Sequence, residues 1–70
     1  MANPVTADTD ATVVLLLRKE GVPLLPTEVA LWTGLPRGAV RRSLARLQTQ
    51  GLVERNDNGY YGLLGGDGDR

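Results

Sequence analysis

Cysteine, histidine and phenylalanine are absent from these 70 residues, and lysine occurs once, as Lys19. Without cysteine or histidine there are no disulfides, no Cys/His metal sites, no thiol nucleophile and no imidazole acid–base chemistry. The acids are scattered, and Ser43 lies among arginines with no base beside it. Nucleophilic or general-base catalysis therefore finds no support, and the chain is not expected to be an enzyme. No glycine-rich strand-to-helix turn is present to cradle a phosphate, because Gly65-Gly-Asp-Gly sits in a polar tail. No cofactor and no small-molecule ligand are indicated. The longest apolar run, Val13 to Leu17, is far short of the roughly 20 residues that span a bilayer. No segment reads as a signal peptide, so neither a membrane nor a secreted setting is expected, and a cytoplasmic location is the default.

Net charge is zero, with eight basic and eight acidic residues, which argues against indiscriminate coating of nucleic acid. The balance hides an asymmetry. Between Leu35 and Arg55 lie five arginines and a single acid, Glu54, while Asp8, Asp10, Asp67 and Asp69 sit near the ends. Seventy residues make one small domain whose aliphatic core is only marginally sufficient by itself.

Four helix or hairpin signals follow one another. Met1 to Ala7 lack periodicity and contain Pro4, and are expected to form a flexible arm. Asp8, Thr9 or Asp10 then caps a first helix that ends near Glu20 before Gly21. Its apolar residues lie on two sides, Val13, Leu16 and Leu17 on one face with Val14 and Leu15 beside them. Val22-Pro-Leu-Leu25 reads as one short strand. Pro26 and Pro36 each suit the start of a helix, the second ending at Gly34 and the third near Gln50. Leu52 to Arg55 and Tyr60 to Leu64 flank Asn56-Asp-Asn-Gly59, an Asn-Gly hairpin signal. Residues 8–64 are thus one mainly α domain, a three-helix core with a two- or three-stranded hairpin, followed by a disordered tail over 65–70.

Glu28-Val-Ala30, Thr33-Gly-Leu-Pro36, Val40, Leu44, Leu47, Gly51-Leu-Val-Glu-Arg55 and Gly59-Tyr60 carry a family resemblance. In this order they resemble the winged helix-turn-helix modules of IclR-type bacterial regulators, and more loosely MarR-type and DprA-type winged helices. The resemblance spans nearly all of Ala11 to Leu64 and implies DNA binding through the third helix. Leu31 and Trp32 depart from the IclR-type pattern, where those positions are usually polar, and Ser43 stands where an aliphatic residue is common. The large effector domain of IclR-type proteins has no counterpart in these residues, so ligand sensing is not implied.

Taken at 100° per residue, Val40, Leu44 and Leu47 face inward on the third helix, while Gly38, Arg42, Ala45 and Thr49 face outward. The helix holds arginines with no acid to balance them, and the small residues Gly38 and Ala39 leave room to approach a groove floor. This gives the expected DNA-binding set. Arg42 would read a base edge, and Arg37 would hold a phosphate with the helix N-terminus. Arg41 and Arg46 would bind backbone phosphates on the flanks. Arg55 and Asn58 would touch backbone from the hairpin, against an equal expectation of a purely structural hairpin, since the tip carries Asp57 and no base. Tyr60 and Tyr61 should face opposite sides, one of them in the core. Leu31 and Trp32, with Val14 and Leu15, suggest a protein interface. Two functions follow: a homodimeric transcriptional regulator on double-stranded DNA, or a winged-helix adaptor that binds a protein partner.

Overall fold

A computed structural model describes residues 4–64. Helix α1 runs over Pro4–Glu20, α2 over Pro26–Thr33 and α3 over Arg37–Thr49. Strands β1 (Val53–Arg55) and β2 (Tyr61–Leu63) form an antiparallel hairpin. The expected order of elements is present, a three-helix core with a small wing. The first helix begins earlier than its capping signals imply. Pro4 to Ala7 belong to α1 rather than to an arm, with proline tolerated in the first helical turn. Met1 to Asn3 and the expected tail at 65–70 lie outside the described residues.

That earlier start changes what Asp8, Thr9 and Asp10 do. They lie inside the helix rather than at its start, and Thr9, Val13 and Leu17 make the inward stripe at i, i+4, i+8. Leu16, expected on that face, is only half-buried beside the core. The core itself joins Val13 and Leu17 of α1 with Leu24, Val29 and Ala30, then Val40, Leu44 and Leu47 of α3 and Val53 of β1. The three helices and β1 therefore each contribute an aliphatic residue to one cluster, and Leu63 of β2 packs against it.

The helix junctions are closed by local hydrogen bonds. The Leu25 N–H donates to the Glu28 carboxylate at 2.8 Å, satisfying a donor at the start of α2. At the other end, Gly34 adopts a left-handed φ of 78° and its N–H donates to the Ala30 carbonyl. The Leu35 N–H donates to the Thr33 hydroxyl at 3.2 Å, and Pro36 opens α3 from an extended conformation. This tight connection fixes the angle at which α3 leaves α2.

The wing is pinned on both sides. Its register pairs Val53 with Leu63, Glu54 with Gly62 and Arg55 with Tyr61. The short third strand is reduced to a single bridge, Leu24 with Tyr61, closed by two hydrogen bonds of 2.7 and 2.8 Å. At the tip the Gly59 N–H donates to the Asn56 carbonyl, and the Asn56 side chain accepts from the Asn58 and Tyr60 N–H groups. Among the described residues only glycines have positive φ, so Gly59 alone supplies it here, at 87°. The Asn-Gly pair thus makes a β-turn followed by a left-handed glycine, rather than a two-residue turn with both residues left-handed.

Candidate nucleic-acid interface

Helix α3 turns Val40, Ser43, Leu44 and Leu47 inward, which leaves the opposite face to Arg37, Gly38, Arg41, Arg42, Ala45 and Thr49, all exposed. Ala39 is half-buried on the flank and so does not line the open face as expected. Arg42 does not extend straight outward. Its guanidinium folds back one turn over Gly38, where a Cβ would lie 3.4 Å from Nη1. Gly38 therefore gives Arg42 its resting place, and a planar donor group lies along the first turn of the helix.

Arg41 leans to the other side. It lines a groove of about 500 Å³ with Leu25, Pro26, Thr27, Arg55, Gly59 and Tyr61. The groove brings one arginine of α3 and one of the wing to the same opening, with a threonine hydroxyl at the start of α2 between the elements. The sequence places Arg41 and Arg55 on separate elements, and only the packing of the hairpin against α2 and α3 unites them. Thr27 and Tyr61 were not among the expected site residues, and nothing in their spacing signals the role. Asn58 is exposed at the wing tip beside Asp57.

Arg46 behaves differently from the other three arginines of α3. Its Nη2 donates to Asp10 Oδ1 at 2.7 Å and its Nε to Oδ2 at 3.2 Å, a two-pronged pair between α3 and α1. The wholly buried Ser43 hydroxyl donates to the same carboxylate at 2.6 Å. Hydrogen bonding from Arg46 holds the Asp10 carboxyl below its ordinary value, with partial burial opposing it and the Ser43 bond adding to it. The polar Ser43 at a usually aliphatic position is the sequence signal for this network. No other ion pair occurs among the described residues, so Arg37, Arg41, Arg42 and Arg55 have no internal acid partner there.

Tyr60, just before β2, and Tyr61, its first residue, line different grooves, as the two-residue period requires. Tyr61 packs toward the core, yet Tyr60 is also half-buried, lining a shallow cavity with Leu17, Val22, Pro23 and Arg18. Of the expected protein-interface residues, Leu31 and Trp32 are 76% and 51% exposed, so Trp32 does not fold over the core. Leu15 is exposed on α1 and Val14 is half-buried against the core, and both line an open groove with Ala11, Leu47 and Leu52. Leu31 and Trp32 do not line that groove. No group of acidic side chains among the described residues could hold a metal ion, and no described helix is long and apolar enough to cross a membrane.

In the arrangement of its backbone the chain is similar to the Zalpha domain from Carassius auratus PKZ, solved in complex with Z-DNA. The TM-score is 0.78 at 21% identity, over 86% of this chain and 98% of that one. At that identity the likeness concerns the fold, which is a winged helix. No curated protein sequence matches the chain. The MarR family model matches residues 8–60, which bears out the looser MarR-type resemblance and not the IclR-type one. With three quarters of its length matched, the chain belongs to the MarR family.

Proposed function

We propose that this protein is a DNA-binding transcriptional regulator that inserts α3 into the major groove. The observation that carries the reading is the division of charge on α3. Arg37, Arg41 and Arg42 are exposed on its outer side without an acid partner among the described residues, whereas Arg46 is already neutralised by Asp10. A face of unpaired guanidiniums around a glycine suits a phosphate-lined groove. Membership of the MarR family and the DNA-bound state of the Zalpha domain support the same direction.

Within this reading Arg42, lying over Gly38, contacts base edges. Arg37 meets a phosphate at the start of α3. Arg41 and Arg55 converge on a backbone phosphate at the mouth of their shared groove, which gives the wing a contact at its base rather than at its acidic tip. One recognition helix reads few base pairs, so a homodimer spanning two half-sites suits the size of the domain. Titration of a labelled random duplex tests the assignment. Arg41→Ala and Arg55→Ala should each weaken binding and, sharing one phosphate, should lose less together than the product of their separate losses. Retention of full affinity by the Arg41→Ala, Arg42→Ala double variant would refute it.

The exposure of Leu31 and Trp32 favours a second reading, in which the domain also docks on a protein. The two readings use different faces, and duplex binding by the Trp32→Ala variant at native strength separates them.

A further inference from the structure

The Asp10–Ser43–Arg46 network bears on how much of the charge of α3 reaches an anion. Asp10 offers both carboxylate oxygens, Arg46 takes both, and the buried Ser43 hydroxyl fixes Oδ1 from below. A carboxylate gripped by a guanidinium at two points, in a setting only partly open to water, presents the same geometry as a phosphate gripped by arginine. The Arg46 side chain keeps 36% of its surface and Asp10 keeps 20%, so the pair lies at the rim of the arginine face rather than in the core. Around the helix, Arg46 lies only 40° from Arg42 at about 100° per residue.

We infer that Asp10 is an internal competitor that withholds Arg46 from external anions, making it a determinant of affinity on this face. The inference rests on the reading of α3 as the DNA-facing helix. The arginine pattern alone counts three phosphate-binding candidates on α3, Arg37, Arg41 and Arg46, but the structure leaves two. An aspartate is charged throughout the neutral range, and the Arg46 hydrogen bond favours that form further, so the competition does not lapse there.

Salt-dependent retention on immobilised heparin, run in parallel with duplex DNA, tests this. Asp10→Asn frees Arg46. Its loss of affinity between about 50 and about 200 mM salt should exceed the native loss by about 3.5-fold, the worth of one added phosphate contact. Glu20→Gln adds the same charge about 15 Å further along α1 and should steepen the dependence less. The charge-neutral double variant Asp10→Asn, Arg46→Gln should match the native chain. A double variant that loses a contact's worth of salt dependence would overturn the inference, as would equal effects of Asp10→Asn and Glu20→Gln. Should a variant fail to fold, the Arg46 Nε–H resonance of the native chain decides. It should stay in place while that of Arg42 moves on adding heparin, and a moving Arg46 signal refutes the competition. Heparin behaviour as described, with no duplex binding at low salt, would leave this inference standing and remove the DNA reading. A native chain that heparin does not retain overturns both.

Discussion

Replacing Asp10 by alanine removes the acceptor for a hydroxyl that has no access to water. Ser43 is fully buried, and its hydrogen bond to Asp10 is 2.6 Å long. Leaving a buried hydroxyl without a partner costs about 1–3 kcal/mol. In a domain of this length that shifts the melting temperature by about 4–24 °C, at about 4–8 °C per kcal/mol. Ser43→Ala should cost less, since it removes the buried donor and leaves Asp10 paired with Arg46. The effect of Asp10→Ala must also depend on pH. The folded-state pKa of Asp10 lies below its ordinary value of 3.8. A lowered carboxylate pKa contributes stability that is complete above about pH 5 and is lost as pH falls through the folded-state value. Thermal melts of native and Asp10→Ala chains, followed by far-UV circular dichroism, should therefore separate widely at about pH 7 and draw closer as acid titrates the native carboxylate, leaving the part owed to the Ser43 hydroxyl, which a protonated carboxyl still accepts. Equal separation at neutral and strongly acidic pH, or none at neutral pH, would refute the role assigned to the network.

Two further outcomes follow from burial. Leu44 is wholly buried where α3 meets the rest of the core, so Leu44→Ala should cost about 2–5 kcal/mol in chemical denaturation, a large share of the stability of so small a domain. Trp32 is half exposed, so Trp32→Ala should change stability by less than about 0.5 kcal/mol. A lower sedimentation mass for that variant than for the native chain would support a Trp32 interface, and an unchanged mass would count against one.

The fold was legible in the sequence because its cues are local. Pro26, Pro36, Gly34 and Gly59 punctuate the chain, and Val40, Leu44 and Leu47 repeat at helical spacing, so each element declares itself within a few residues. What escaped reading depends on contacts between distant residues. Asp10 and Ser43 are 33 positions apart, and Asp10 near a helix start looks like a cap until the helix proves to begin at Pro4. Arg46 lies on the flank of α3 just as Arg41 does, and only the neighbouring element distinguishes them: Asp10 of α1 in one case, Arg55 of the wing in the other. The groove uniting Arg41, Arg55, Thr27 and Tyr61 has the same origin. Periodicity places a side chain on a face, but the partner across the gap comes from tertiary packing.

Among the unpaired arginines, Arg37, Arg41 and Arg55 are expected to meet DNA phosphates while Arg42 meets base edges. Titration of a labelled duplex with the native chain at about 50 and about 200 mM salt tests it most directly. The phosphate held by Arg37 and the one shared by Arg41 and Arg55 would each release counterions, giving a logarithmic slope of about −1.8 and an affinity loss of about 12-fold over that range. Binding at the lower salt with a dependence of that order is the expected result. Absence of binding there, or an affinity indifferent to salt, would contradict it.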